Sequence, residues 1–257
     1  MTAPTYRQRD QPPGVPPLAL TGERTLPDVP EENYWFQRHL VVYEFIAGRV
    51  SGQRVIDMAC GEGYGSNVLA SRADSVIGVD ANPEAHEHAR LRYRRPGLRF
   101  ERALVEEFDE PADAVVFLQT IEHVHNPGEI LEHFKRLTGL AGTVYVSTPN
   151  LLTLAPAGAV KSDNPWHIRE YRAHEFRALC EAHFGSVSLF GLHHSGKLLA
   201  HQRALRLGWD RVHRRLGLTQ RFYGWFTPAI DASDFRLASG AEADLDAALD
   251  FLAVCRQ

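Results

Sequence analysis

Long apolar runs are missing from this chain, and so are cysteines at metal-binding spacings. No uninterrupted apolar stretch approaches a bilayer's thickness, so no membrane span is expected. The three cysteines, Cys60, Cys180 and Cys255, lie far apart and are odd in number. They read as reduced, buried thiols of a cytoplasmic protein. Charge of one sign is also scarce: 28 basic against 32 acidic side chains leave a net of −4. That balance gives no global reason to expect a nucleic-acid or membrane partner. Large apolar residues are few in 1–17, which holds five of the fifteen prolines. The stretch lacks the apolar centre of a signal peptide and is expected to be a disordered arm. With 44% hydrophobic residues overall, residues 18–257 can bury one substantial core and are read as a single domain.

What is present begins with Val55-Ile56-Asp57-Met58-Ala59-Cys60-Gly61-Glu62-Gly63-Tyr64-Gly65-Ser66. A brief apolar run reads as a buried parallel strand, and a helix should follow from about Ser66. Between them Gly61, Gly63 and Gly65 allow a tight turn and close approach of backbone to a ligand. A dinucleotide fingerprint fits imperfectly, because its third small position falls on Ser66. The run resembles motif I of the class I S-adenosylmethionine (SAM) methyltransferases, in which an acid precedes the glycines, and Ile121-Glu122-His123 further on resembles a pattern of their type 11 group. SAM carries an ammonium and a sulfonium but no phosphate, so Asp57 makes chemical sense here. A second apolar strand, Ser75–Val79, ends in Asp80, 19 residues after Gly61. An acid at that tip suits the two ribose hydroxyls. Asn82-Pro83-Glu84 then opens a helix with a cap, a proline and an acid in favourable order.

Further strands are expected at 98–104 (with its turn), 114–118, 143–147, 187–191 and 249–255. Helices are expected at 32–50, after Asn126-Pro127, and at 173–184. Alternating strands and helices imply right-handed crossovers and an α/β, Rossmann-like, mostly parallel sheet with helices on both faces. Two leftover segments, 151–170 and 195–246, adjoin the carboxyl ends of strands and are read as substrate-selecting inserts. The longer one places Leu205, Trp209, Val212 and Leu216 at spacings of one amphipathic helix. Its arginines read either as a solvated face or as a rim for an anion.

Methyl transfer to a hydroxyl needs a base working near neutral pH, or a metal ion. Strand four runs into Gln119-Thr120-Ile121-Glu122-His123, and Asp163–Tyr171 packs Trp166, His167, Arg169 and Glu170 into one loop. His167 and His123 are therefore candidate bases, beside Glu122, unless Glu122 and His123 merely brace the strand end. Tyr34, Arg38 and His39 on the first helix could meet cofactor or substrate, or simply pack on the core.

The Glu122-His123 pair is similar to the E-x-x-E-H element of metal-assisted O-methyltransferases, with Gln119 in place of the first acid. That likeness implies a Mg²⁺ or Mn²⁺ site on Glu122 and His123, weakened by the amide, to which His167 of the following loop could add a third ligand if it is not the base. More selectively, Leu20-Thr-Gly-Glu-Arg-Thr, Glu32-Asn-Tyr-Trp-Phe, Ser147-Thr-Pro-Asn, Asn164-Pro-Trp-His and Ser233-Asp-Phe resemble the actinobacterial O-methyltransferases of methylmannose polysaccharides, the group of the mannoside 1-O-methyltransferase. The resemblance implies a seven-stranded sheet whose last strand is antiparallel between the fifth and sixth. It also implies a SAM site formed by Asp57, Gly61, Gly63, Gly65, Asp80, Ala81, Leu104, Gln119, Tyr34 and Arg38. The acceptor would be a small molecule or oligosaccharide, with a homodimer left open. Methylation of a lipid or quinone precursor, and non-catalytic SAM binding, are the alternative readings.

Overall fold

In the computed structural model, residues 5–9, 11–20, 24–156 and 158–257 are described. Strands run β1 Thr5–Tyr6, β2 Leu18–Ala19, β3 Arg54–Met58, β4 Ser75–Val79, β5 Leu98–Glu101, β6 Ala114–Leu118, β7 Thr143–Pro149, β8 Ser186–His194, β9 Phe235–Ser239 and β10 Asp250–Arg256. Helices run α1 Asn33–Ala47, α2 Tyr64–Leu69, α3 Pro83–Arg92, α4 Pro127–Thr138, α5 Leu151–Leu154, α6 Ala173–Glu181, α7 Gly196–Arg206, α8 Trp209–Arg215 and α9 Thr219–Phe226. The main sheet has the order β5-β4-β3-β6-β7-β10-β8-β9. Strands β3 to β7 pair in parallel, and β10 lies antiparallel between β7 and β8 as expected. Runs such as Ala114–Phe117 can be wholly apolar because helices cover both faces, and these residues are fully buried.

Three expectations need correction. The sheet has an eighth strand, β9, antiparallel to β8 inside the segment read as a helical insert. Its Phe235 and Ala238 are buried while Arg236 faces out, a half-covered edge pattern too short to stand out in the sequence. The single helix spanning 205–216 is broken at Gly208, whose φ of 91° ends α7 and starts α8. The arm 1–17 is not structureless where it is described: β1 pairs with β2, and Gln8 and Val15 are buried. A small apolar cluster of Leu18, Leu26 and Val29, with Tyr6 and Leu20, anchors it. The motif residues Thr21, Gly22 and Glu23 lie outside the described residues.

The sheet's carboxyl edge is pinned by one buried ion pair. Arg38 on α1 donates to both oxygens of Asp250, at 2.6 and 2.5 Å, and also to the Leu249 carbonyl. It holds α1 across the start of β10, so the helix lies over the strand tips.

Candidate functional site

Where β3 ends, Ala59 takes a φ of 56°, and where β6 ends, Gln119 takes 51°. A left-handed alanine and glutamine are strained, and both face one cleft of about 430 Å³. Arg24, Thr25, His39, Tyr43, Cys60 and Gly61 share its wall with Glu62, Tyr64, Asp80, Thr120, His123 and Trp166. Asp80 fastens the floor: its carboxylate accepts from the Gly61 amide and the Asn82 amide, each at 2.8 Å. Each oxygen keeps acceptor capacity for a ligand. Asn82 caps α3 through the amides of Glu84 and Ala85, as its position predicted.

The glycines divide their labour. Gly61, at φ 56°, is the open one; a Cβ there would have only Arg24 nearby, at 3.9 Å. Gly63 and Gly65 do not line the cleft. A Cβ on Gly65 would come within 2.0 Å of the Tyr43 ring, and one on Gly63 within 2.8 Å of Ala89. These two are packing glycines. Asp57 is likewise not at the wall. It is fully buried beneath the turn, accepting from Ser66 Oγ at 2.7 Å and Tyr43 OH at 3.3 Å. Desolvation pushes its pKa up to about 7, against the pull of those hydroxyls.

Other expected contacts fall elsewhere. Tyr34 bonds His194 Nε2 at 2.9 Å and lines a second, apolar cavity of about 290 Å³ against α7 and α9. Arg38 is spent on Asp250. Leu104 is half-exposed and Ala81 is exposed, and neither lines the cleft. The α1 residues that do face it are His39 and Tyr43, and burial lowers the His39 pKa to about 4.

Two residues carry signals the sequence reading passed over. Glu62, x in the glycine motif, is buried and accepts from Gln8, His88, Tyr93 and the Tyr64 amide. Arg24 sits in a quoted motif without an assigned role, and among the described residues it makes no ion pair.

At the tip of β6, Glu122, His123 and His167 come together, each offering a ligand atom within 4.8 Å of the others. His123 Nδ1 lies 2.9 Å from the Trp166 carbonyl. A carbonyl only accepts, so the proton sits on Nδ1 and Nε2 is the basic nitrogen. His167 Nδ1 lies 2.7 Å from Glu170 Oε1, and Asn164 Nδ2 lies 3.0 Å from its Nε2. His167 is buried behind the cleft, whereas His123 is on its wall. Burial tends to raise the Glu170 pKa, yet hydrogen bonds from Ser162 and His167 hold it below its ordinary value. Glu170 therefore pairs with His167, and Arg169 stacks over Tyr171 instead. Glu122 is buried with Thr148 Oγ1 at 3.1 Å, and desolvation pushes its pKa up to about 8. Its backbone carbonyl accepts from the Ile168 and Arg169 amides, which ties the 163–171 loop to the strand tip.

Comparison with known proteins agrees with this architecture. The Methyltransferase domain family model matches residues 34–190. The chain is 34% identical to a "Probable S-adenosylmethionine-dependent methyltransferase" of Mycobacterium tuberculosis, over 98% of this chain and 96% of that protein. It is 32% identical to the ubiquinone biosynthesis O-methyltransferase of Pseudomonas putida, over 43% of this chain and 52% of that one. A Thermotoga maritima SAM-dependent methyltransferase, described as a possible histamine N-methyltransferase, superposes with a TM-score of 0.58 at 16% identity, covering 88% and 95% of the chains. By its matched domain and its full-length relative, this chain belongs to the SAM-dependent methyltransferases of the Methyltransferase domain family.

Proposed function

We propose that the chain methylates a hydroxyl of a saccharide or related acceptor, and that the Glu122–His123–His167 cluster beside the cofactor cleft activates that hydroxyl. The cluster is the observation that carries the reading; the partial likeness to a ubiquinone biosynthesis O-methyltransferase supports oxygen as the nucleophile. SAM, when bound, supplies an electrophilic methyl group on a sulfonium. The residues that would hold it are Asp80 for the ribose, Gly61 and Gln119 through close backbone approach, and Arg24 for the carboxylate. Asp57 acts from beneath by orienting Tyr43 and Ser66. The cleft's volume and its convergent polar groups suit a ligand of that size.

His123 is the cleft-facing member of the cluster and takes the hydroxyl proton on Nε2. Trp166, 59% exposed on the cleft wall, offers a flat face to a sugar ring. The inserts at 151–170 and 195–246 select the acceptor; methylmannose precursors are the acceptor class the motifs favour. The test is radiolabelled methyl transfer to mannosides, other sugars and phenols. Transfer to mannosides first is the expected result, and transfer only to phenols or amines would refute it.

The same cluster favours a second reading, in which a divalent cation assists. One carboxylate and two imidazoles suit Mn²⁺ better than Mg²⁺. Both histidines present Nδ1 to an acceptor, Trp166 O and Glu170, the arrangement that orients metal-bound imidazoles. An ion there would make the acceptor hydroxyl more acidic. Chelation should lower turnover, with Mn²⁺ restoring it better than Mg²⁺; indifference to both leaves His123 as sole base. Glu122 also sets a pH signature. Its carboxyl, ordinarily near 4.5, titrates near 8 in the fold. A raised acid stabilises the ion-free protein fully below 4.5, and that contribution is lost as pH rises through 8. Glu122→Gln should flatten this slope in thermal melts taken across that range.

Asp80→Ala removes the acceptor of the Gly61 amide together with the ribose partner. Losing charge-assisted bonds of this kind should weaken SAM binding roughly tenfold to a hundredfold, read by calorimetry. Unchanged affinity would place the ribose elsewhere.

A further inference from the structure

The helical segment α7–α9 has a surface unlike the rest of the chain. Residues 196–226 hold seven basic side chains and one acid, in a chain whose net charge is −4. Lys197 is neutralised by Asp231 and Asp234, and Arg214 by Asp210. Among the described residues, Arg203, Arg206, Arg211, Arg215 and Arg221 make no ion pair, and all five are exposed. Large apolar side chains are exposed between them: Leu207 at 90%, Leu216 at 63% and Trp225 at 72%, with Val212 and Leu218 less so. Five of the twelve exposed large apolar residues described fall between 207 and 225, so exposed apolar side chains concentrate in this one helical segment. Cation and apolar group also share faces: Arg221 and Trp225 are four apart on α9, and Val212 and Arg215 on α8 are followed at helical spacing by its C-cap Leu216.

We infer that α7–α9 docks this enzyme on an anionic lipid bilayer, lying in the headgroup region with Leu207, Leu216 and Trp225 inserted and the arginines at the phosphates. Charge complementarity selects this occupant. A second copy of the same face would set five uncompensated guanidinium groups against five, so self-association is opposed. Nucleic acid would meet the cations but leave the leucines and tryptophan facing water without gain. A bilayer surface satisfies both: aliphatic and indole groups enter the acyl boundary, and each nearby arginine is attracted by the negative leaflet. The position is also apt, because α7 leaves the carboxyl end of β8, the sheet edge that carries the cofactor cleft.

The experiment is co-sedimentation of the full chain with vesicles of phosphatidylcholine alone and of phosphatidylcholine with phosphatidylglycerol. Binding to the anionic vesicles, absent on neutral ones and released by salt, is the expected result. Arg211→Glu/Arg215→Glu/Arg221→Glu should lower vesicle partitioning by about tenfold or more. Leu207→Ser/Leu216→Ser/Trp225→Ser should lower it comparably, while SAM binding by calorimetry stays unchanged and reports that each variant is folded. No binding by the wild-type chain, equal binding to both vesicle types, retention of binding by either variant, or tighter binding to duplex DNA than to anionic vesicles would overturn the assignment. None of these readouts depends on which acceptor is methylated.

Discussion

Replacing His123 by alanine is expected to cut turnover by about 10²- to 10⁴-fold while SAM affinity stays within about twofold of the wild type. The magnitude is that of a removed proton acceptor. The argument is positional: His123 is the member of the Glu122–His123–His167 cluster on the cleft wall. The Trp166 carbonyl fixes its tautomer with Nε2 basic. His167→Ala should cost less in a metal-free assay, because that ring is buried and engaged by Glu170 and Asn164. Single-turnover rates with SAM pre-bound separate chemistry from binding. Equal losses for the two histidines, restored by excess Mn²⁺, would point to ligand roles; full activity of His123→Ala would remove the base from this strand tip.

Arg38→Ala should destabilise the protein by about 3–5 kcal/mol, the range for breaking a buried pair from one side. Both partners are nearly inaccessible, at 5% and 2% exposure, so Asp250 would be left as a buried carboxylate with no charge opposite. Urea unfolding checks the figure. The double variant Arg38→Met/Asp250→Leu should recover much of the loss, since removing both charges removes the desolvation cost. If the single variant melts like the wild type, α1 is held by its apolar face alone.

Arg38 also shows where sequence reasoning stops. Its place among aromatics on the first helix made it a cofactor candidate, yet its partner is 212 positions away. The strands β3 to β7 and the Asn82 cap were legible because they depend on near neighbours: apolar runs, Asn82-Pro83, the glycine turn. Asp80 was legible for the same reason, as a strand-tip acid at a fixed distance from the turn. The antiparallel place of the last strand came from the family resemblance, and Asn126, in the same Asn-Pro pattern as Asn82, makes no side-chain cap bond. The assignment of His39 and Tyr43, not Tyr34 and Arg38, to the cleft depends on how far α1 is rotated, and no local signal sets that. Nor does the motif say which glycines face a ligand: Gly63 and Gly65 are required by Ala89, Phe100 and Tyr43, which only tertiary packing brings near. Glu62 stayed hidden because its partners, Gln8 and His88, come from segments the pattern left unconnected.

That carboxylate gives the opening residues an unexpected standing. His88 is bonded to Glu62 by one nitrogen and to the Pro16 carbonyl by the other, while Gln8 reaches Glu62 directly. Gln8 and Pro16 are thus tied to the underside of the glycine turn that lines the cleft. Removing the segment that carries Gln8 and Pro16 would unroof the underside of that turn, so a shortened protein would differ at the cleft and not merely in length.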